Sequence, residues 1–357
     1  MSRALLARVR DADVLRGGLP YEALEAVHVP FDDLVGDSGT EAALARAAAA
    51  YSTVILTGRT GTGKSSILAY ELGQLSARAP ETLVPMRIPM EVADPEQVAQ
   101  VGDFARHIVR HITRSAAADR FTPREKDEFA RLTGDLERRT GRRRRAGASL
   151  TAPLVVTNAG LALELESAGS EIQRRIAGGE VVQALNDLMA IVRAQGAEPF
   201  LVFDDTDVWL RSVWGDRSEA LVTAFFGRNV RTLVREVDCG FALAAHTEYL
   251  EQPGFHEAIG LIDHRIEVPH LPDAEAGIAR ILGRRLEFAA ADVELGDVFA
   301  PEAFVALSTV YSVVGPDLRA LIGIAGQALR AVLDDPQGPD RVSQSAVNAA
   351  AARRLGR

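Results

Sequence analysis

A glycine-rich loop lies between a short apolar run and a stretch with helical spacing, and this order of elements restricts the fold that the chain can adopt. The loop reads GRTGTGKSS and begins at residue 58, and the apolar run VIL at 54–56 comes shortly before it. After it, apolar residues recur at helical spacing in KSSILAYELGQLSAR. A strand, a glycine loop and a helix in this order predict a phosphate-binding loop.

This loop matches the full pattern of a phosphate-binding loop (P-loop), because Gly58 is followed after four residues by Gly63, Lys64 and Ser65. Glycines let successive backbone N–H groups converge on a phosphate, a lysine reaches the β- and γ-phosphates, and the serine hydroxyl can ligate Mg²⁺. Lys64 is one of only two lysines in an arginine-rich chain, which makes it informative. The residues predicted to bind the nucleotide are Gly58, Arg59, Thr60, Gly61, Thr62, Gly63, Lys64, Ser65 and Ser66.

A P-loop needs an acidic element at the end of another buried strand, because a metal must be oriented and a water activated. The stretch PFLVFDD supplies this element. Residues 200–203 are apolar, as expected of a strand buried on both faces, and Asp204 and Asp205 stand at its carboxyl end. We predict that Asp204 holds Mg²⁺ through water, together with Ser65, and that Asp205 polarises the attacking water. The alternative is an aspartate-rich turn.

Strand and helix patterns alternate up to Pro272, and only helical patterns follow it. Besides the strand before the P-loop, strands are predicted at 82–90, 198–207, 239–247 and 264–271. The fold class that results is α/β, with a parallel P-loop NTPase sheet flanked by helices. The domains predicted are an α/β nucleotide-binding domain at 1–270, with a helical insertion at about 91–197, and an all-helical lid domain at 271–357.

The composition limits the classes of protein to which the chain can belong. A net charge of −9 excludes a uniformly basic surface of the kind that many nucleic-acid-binding proteins present. No apolar run approaches the roughly 20 residues of a membrane span, and the N-terminus lacks the apolar core of a signal peptide. We therefore expect a cytoplasmic protein that makes no contact with a membrane.

Together these motifs resemble the AAA+ ATPases, in the branch that includes origin-recognition initiators. The resemblance covers residues 28–335 except the insertion, and four local stretches carry it. They are PFDDLVG before the first strand, GFALAAHT, HRIEVPHLPDAEAGIARIL and VGPDLRALIGIAGQALRAV. The first resembles the family's N-terminal motif, whose chain lies near the adenine.

The resemblance implies further site residues. His246 or Thr247 takes the place of the polar sensor-1 residue, which contacts the attacking water or the γ-phosphate. The pattern from Gly315 to Arg319 resembles the sensor-2 motif and implies that Arg319 reaches the γ-phosphate of its own subunit. Arg265 falls where many members keep an arginine near the subunit boundary, which suggests an arginine finger acting in trans. Two other arginines compete for this last role, Arg228 and Arg231.

The activity that the resemblance implies is binding of ATP and Mg²⁺ between core and lid, and hydrolysis that depends on homo-oligomerisation in the ATP-bound state. The sequence ends soon after the predicted lid and leaves no room for the winged-helix domain of initiators. We therefore expect the ATPase to act on, or with, a separate effector or client protein.

Two alternatives stay open. Asp205 stands where most hydrolytic members have the longer glutamate, and acidic pairs of this kind also occur in STAND-type signalling ATPases, so a slow nucleotide switch or scaffold is one alternative. The other is a DNA-associated ATPase. Its DNA-binding segment would be the run RRTGRRRR from Arg138 to Arg145. The competing interpretation of this run is a solvated loop. Trp209 and Trp214 are interpreted as packing or subunit-contact residues rather than a base-stacking platform.

Overall fold

The computed structural model describes residues 3–78, 82–90, 99–115, 119–127, 129, 179–206, 216–335 and 337–356. The arginine-rich run at 138–145 and the two tryptophans, Trp209 and Trp214, lie outside these residues, as does most of the predicted insertion at 91–197. Where the insertion is described it is largely helical, at 101–114 and at 179–194.

The chain passes through four helices before it enters the sheet. The first elements are α1 (Arg3–Asp11), α2 (Tyr21–Val27), α3 (Phe31–Val35), α4 (Thr40–Ala49), β1 (Thr53–Thr57) and α5 (Lys64–Arg78). They are followed by β2 (Leu83–Pro89), α6 (Val101–Arg114), α7 (179–194) and β3 (Glu198–Asp204). The predicted order of strand, glycine loop and helix is thus present in β1, the P-loop and α5.

The second half of the sheet leads into a set of helices. After β3 come α8 (Asp216–Ala224), a π-helical turn (Phe225–Val230), α9 (Arg231–Glu236), β4 (Gly240–Ala245), a 3₁₀ helix (Thr247–Glu251), α10 (Pro253–Ile259) and β5 (His264–Glu267). The C-terminal helices are α11 (Ala274–Ala289), α12 (Leu295–Val298), α13 (Pro301–Val314), α14 (Leu318–Asp334) and α15 (Gln344–Leu355). Four of the strands were predicted to extend further than they do. β3 ends at Asp204 because Asp205 takes the left-handed conformation, with φ of 52°.

The five strands form one parallel sheet in the order β2-β3-β4-β1-β5. The carboxyl ends of parallel strands meet at one edge of a sheet, where ligands of such folds bind. One strand, β4, separates β1, which precedes the P-loop, from β3, which carries the acidic pair. The P-loop and the acidic pair therefore flank the end of β4. The predicted α/β fold with its parallel sheet and flanking helices is confirmed.

Alternate residues of the buried strands pack into two different hydrophobic clusters. Phe203 of β3 packs on one face against Phe104 of α6, with ring centroids 5.7 Å apart, and Phe104 in turn contacts Phe225 at 5.5 Å. On the other face Val202 belongs to a cluster that includes Ile67 of α5. Burial on both faces explains why these strands are apolar throughout.

A third hydrophobic cluster contains the C-terminal helices and also α1. Leu6 and Val9 of α1 are buried in it, although they precede the sheet in sequence. Arg8 adds a bidentate ion pair with Asp292, at 3.0 and 2.9 Å, and Arg285 donates to the carbonyl of Val14 at 2.7 Å. The domain boundary at residue 270 stays a prediction, and α1 packs with the helices beyond it.

None of the helices in the part of the chain that the structure describes combines the length and the apolar character needed to cross a lipid bilayer.

Candidate functional site

The P-loop connects β1 to α5 and has glycines where side chains are not tolerated. Gly61 and Gly63 have φ of +80° and +104°, which L-residues rarely adopt. A Cβ atom on Gly61 would also lie 2.0 Å from Oδ1 of Asp317. The Lys64 ammonium donates to the carbonyl oxygens of Gly58 and Arg59 at 2.8 and 3.0 Å. The lysine thus lies along the loop that it is predicted to serve.

Two helix N-termini converge on this loop. α5 begins at Lys64, directly after the loop, and α14 begins at Leu318, whose N–H donates to the carbonyl of Gly61 at 3.0 Å. Asp317 caps α14 by accepting from the N–H of Ala320 at 2.8 Å. Helix N-termini carry partial positive charge. The N-terminus of α14 already has the Asp317 carboxylate and the Gly61 carbonyl as partners, so α5 is the helix that favours an anion at this place.

The acidic pair lies beside the start of α5. Asp204 is 1% exposed, and its Oδ1 accepts from the Ser65 hydroxyl at 2.9 Å. Burial, and then the neighbouring charge of Asp205, raise the pKa of Asp204 to about 6. The structure therefore brings together Ser65 and Asp204, the two residues predicted as metal ligands.

Arg319 completes the arrangement from the helical side. Its Nη2 lies 3.7 Å from Oδ1 of Asp205. The residues around the resulting cavity are Thr60, Gly61, Lys64, Ser65, Asp204, Asp205 and Arg319. Three segments far apart in sequence thus contribute to one cavity of about 30 Å³. This volume holds roughly two water molecules.

The other predicted residues lie outside this cavity. Its lining does not include Gly58, Arg59, Thr62, Gly63 and Ser66, which also belong to the loop and the start of α5. Arg59 packs near Gly315, where an added Cβ would lie 3.2 Å from Nη1 of Arg59. The three arginines considered for a trans role, Arg265, Arg228 and Arg231, are exposed and do not line the cavity.

His246 follows the last residue of β4. It lies beside the start of the P-loop, because the N–H of Gly58 donates to the carbonyl of the preceding residue, Ala245, at 3.2 Å. The imidazole is buried, and its Nδ1 accepts from the N–H of Glu248 at 3.1 Å. This bond places the proton on Nε2 in the neutral ring. Thr247 begins the 3₁₀ helix instead, and neither residue lines the cavity.

Three polar contacts around the site were not predicted. Arg87 of β2 lies near Asp204, with 4.0 Å between Nη2 and Oδ2, and the ring of Tyr21 stacks on its guanidinium. His28 bonds the Ser66 hydroxyl at 2.9 Å and Glu41 at 3.1 Å. The third is the hydrogen bond from the N–H of Leu318 to the carbonyl of Gly61. An arginine inside an otherwise apolar strand was the one signal in the sequence that pointed to the first contact.

The comparisons with known proteins bear on the fold. No protein-family model matches the chain, and no curated protein matches it. Among solved structures, the Aeropyrum pernix Orc1 protein in complex with DNA matches 92% of this chain at 16% identity and a TM-score of 0.50. Two structures of the A. pernix Orc2 protein, its ADPNP-ADP complexes and its ADP form, match 88% and 91% at 17% identity and TM-scores of 0.49 and 0.48.

The chain has an origin-recognition-like AAA+ fold. This likeness confirms the predicted resemblance at the level of the fold, and identity of 16% supports nothing finer. The match covers 66% of the Orc1 chain, and 67% and 70% of the two Orc2 chains.

Within this AAA+ fold the described residues fit a nucleotide and a magnesium ion. The P-loop, Lys64 and the N-terminus of α5 suit a polyphosphate. Ser65 and Asp204 offer oxygen ligands, which Mg²⁺ prefers, and the Ser65 hydroxyl and Oδ1 of Asp204 lie 2.9 Å apart beside the P-loop. Among the described residues no cluster of three or more His, Cys, Asp or Glu could hold a metal. Mg²⁺ at this site therefore needs phosphate and water as further ligands.

Proposed function

We propose that this chain is an ATPase that binds Mg-ATP between its α/β core and its helical lid, and that couples ATP binding and hydrolysis to oligomerisation and to action on a partner protein. The observation that carries the proposal is the convergence of Lys64 and Ser65, Asp204 and Asp205, and Arg319 on one cavity. A protein that only bound the nucleotide would not need an arginine from the helical region in contact with the acidic pair.

The residues of the core have distinct roles in this proposal. Lys64 exchanges its bonds to the loop carbonyls for bonds to the β- and γ-phosphates, and the loop N–H groups hold the same phosphates. Ser65 and Asp204 hold Mg²⁺, which offsets the charge of the phosphates when it is bound. Asp205 orients the attacking water, with the sensor-1 position supplied by His246 or Thr247.

The helical region responds to the nucleotide because it contacts the same loop. A cavity of about 30 Å³ is too small for a triphosphate, and in this proposal ATP enters by displacing the contact between Leu318 and Gly61. Arg319 then leaves Asp205 for the γ-phosphate, which bears more charge. ATP binding is thereby converted into a movement of α14 and of the helices packed on it.

Assembly brings an arginine to the site from a second copy of the chain. Arg265 is exposed on an edge strand and does not line the cavity, so it acts, in this proposal, on the nucleotide of a neighbouring copy. Hydrolysis then requires a homo-oligomer, which is expected when ATP is bound, and the effector protein contacts that assembly.

One alternative has an observation in its favour. The Orc1 structure that shares this fold is a complex with DNA, which favours a DNA-associated ATPase that uses the arginines from Arg138 to Arg145. The slow nucleotide switch or scaffold rests on the short side chain of Asp205. If the chain is a DNA-associated ATPase, DNA stimulates turnover, and replacing the four arginines at 142–145 by alanine removes the stimulation. If the chain is a slow switch or scaffold, ATP-bound oligomers are stable and Asp205→Asn leaves turnover unchanged.

The decisive experiment measures equilibrium binding of a fluorescent ATP analogue and steady-state ATP hydrolysis. Lys64→Ala is expected to abolish binding, and Asp205→Asn to leave binding intact and stop hydrolysis. Lys126→Ala, which removes the other lysine, is the matched control and should bind as the wild type does. Normal binding by Lys64→Ala would refute the site assignment.

A further inference from the structure

Asp204 has different partners on its two carboxylate oxygens. Oδ1 accepts from the Ser65 hydroxyl at 2.9 Å, on the side of the P-loop. Oδ2 is buried, receives no hydrogen bond and lies 4.0 Å from Nη2 of Arg87. The contact is too long for a hydrogen bond, so it acts as an electrostatic one.

Arg87 is suited to fix the direction in which Asp204 points. A buried carboxylate oxygen without a donor is costly, and a guanidinium nearby offsets part of that cost only while one of the carboxylate oxygens faces it. If the carboxylate rotated and exchanged its oxygens, Ser65 and Arg87 would still each face one of them. If it swung away, it would lose both partners. The arginine therefore favours the rotamer in which one oxygen faces Ser65.

Tyr21 holds Arg87 in turn. Cζ of the guanidinium lies 4.6 Å from the centroid of the Tyr21 ring, which is a cation–π contact. Tyr21 begins α2, and α2 packs along α5, where the amide of Gln74 donates to Glu25 at 3.2 Å. A helix from the N-terminal region thus supports the arginine.

We propose that Arg87, held by Tyr21, is a positioning residue for the metal half of the nucleotide site. It keeps the Asp204 carboxylate directed at Ser65, so that the Ser65 hydroxyl and the Asp204 oxygen that faces it can serve one magnesium ion. Arg87 does not line the cavity, and so it acts through Asp204 without touching the nucleotide. This inference rests on the proposed function, because it concerns the same site.

The test separates metal-dependent from metal-independent binding. The dissociation constant of ATP is measured for the intact chain and for Arg87→Ala, once with Mg²⁺ and once with excess EDTA. We expect Arg87→Ala to weaken binding about 10-fold or more with Mg²⁺, the loss usual for a residue that orients a metal ligand, and to leave binding in EDTA unchanged. The EDTA measurement also reports whether the variant is folded.

Two substitutions of Tyr21 check the supporting contact. Tyr21→Phe keeps the ring and should bind Mg-ATP as the wild type does, whereas Tyr21→Leu removes the ring and should show part of the loss, again only with Mg²⁺. Arg87→Lys keeps the charge but not the planar group that stacks, and should fall between the wild type and Arg87→Ala.

The inference is overturned if Arg87→Ala weakens binding equally with and without Mg²⁺, if it has no effect, or if it tightens Mg-ATP, which would mean that the arginine competes with the metal. Failure of the proposed function looks different, because then the wild-type chain itself does not bind ATP under either condition.

Discussion

The guanidinium of Arg319 lies 3.7 Å from the carboxylate of Asp205, and this contact joins the helical region to the acidic pair. The two side chains are 44% and 25% exposed. Partly exposed ion pairs contribute little to stability, so the arginine can leave Asp205 at small cost. A γ-phosphate, with more charge than one carboxylate, is a stronger partner for the same guanidinium.

This relationship predicts that Arg319→Ala removes the preference for ATP over ADP, because ADP lacks the phosphate that the arginine contacts. Hydrogen bonds to charged groups are worth about 1.5–3 kcal/mol, so ATP should bind about 10-fold more weakly or worse and ADP about as before. Isothermal titration calorimetry with both nucleotides measures this. Arg330→Ala is the control on the same helix, where Arg330 pairs with Asp13 at 2.9 Å. Equal weakening of ATP and ADP by Arg319→Ala would mean a structural role only.

A second prediction compares two neighbouring glycines. A Cβ on Gly17 would lie 2.6 Å from the carbonyl oxygen of Arg319, whereas a Cβ on Gly18 would meet nothing within 4 Å. Gly17→Ala therefore pushes against the start of α14 and should cost about 1–3 kcal/mol of stability, as overpacking does. Because that push moves Arg319, Gly17→Ala should also reduce the preference for ATP over ADP.

Gly18→Ala is the matched control, and should leave both properties unchanged. Thermal unfolding and nucleotide titration of the two variants provide the comparison. If Gly17→Ala behaved like Gly18→Ala in both measurements, the loop at Gly17 would have no influence on Arg319.

The fold was largely predictable because its elements are encoded locally. The apolar runs and helical spacing located β1, α5, β3 and most of the C-terminal helices. Strand order was not predictable, since nothing in the residues of β4 says that it lies between β1 and β3. The packing of α1 on the C-terminal helices was missed for the same reason. Its buried residues, Leu6 and Val9, indicate an apolar face but not the surface that covers it.

The candidate site, like the fold, could be predicted from the sequence only in part. The P-loop and the acidic pair are short motifs whose chemistry can be inferred from neighbouring residues, and Arg319 came from the family resemblance. Arg87 and Tyr21 were missed because their contact with Asp204 depends on the alignment of β2 beside β3 and on the position of α2. Left-handed Asp205 was missed as well, since φ of 52° is unusual for a residue other than glycine.

A third prediction concerns the pH dependence of stability. The pKa of Asp204 is raised from 3.8 to about 6, so the folded state binds its proton more tightly than the unfolded state does. The free energy of unfolding should therefore fall as the pH rises from about 4 to about 6, and change little from this source above that. The difference between the two pKa values corresponds to at most about 3 kcal/mol.

Asp204→Asn removes this titration. The stability of the variant relative to the wild type should rise by up to about 3 kcal/mol as the pH increases from about 4 to about 6, in urea unfolding with EDTA present. Asp37→Asn, which changes an exposed aspartate, controls for the loss of one surface charge. A difference between Asp204→Asn and the wild type that stays constant over this range would contradict the prediction.

The last prediction tests the trans role of Arg265. Because Arg265 is exposed and does not line the cavity of its own chain, Arg265→Ala should bind ATP normally and fail to hydrolyse it. Lys64→Ala has the opposite defect, an empty site with an intact finger. When the two variants are mixed in equal amounts, head-to-tail assembly pairs an intact site with an intact finger at about a quarter of the interfaces. Hydrolysis should therefore reappear in the mixture, although neither variant hydrolyses ATP alone.

The same mixture with Arg228→Ala or Arg231→Ala tests the rival arginines. Normal turnover by Arg265→Ala alone, with recovery only in one of those other mixtures, would assign the finger to the rival.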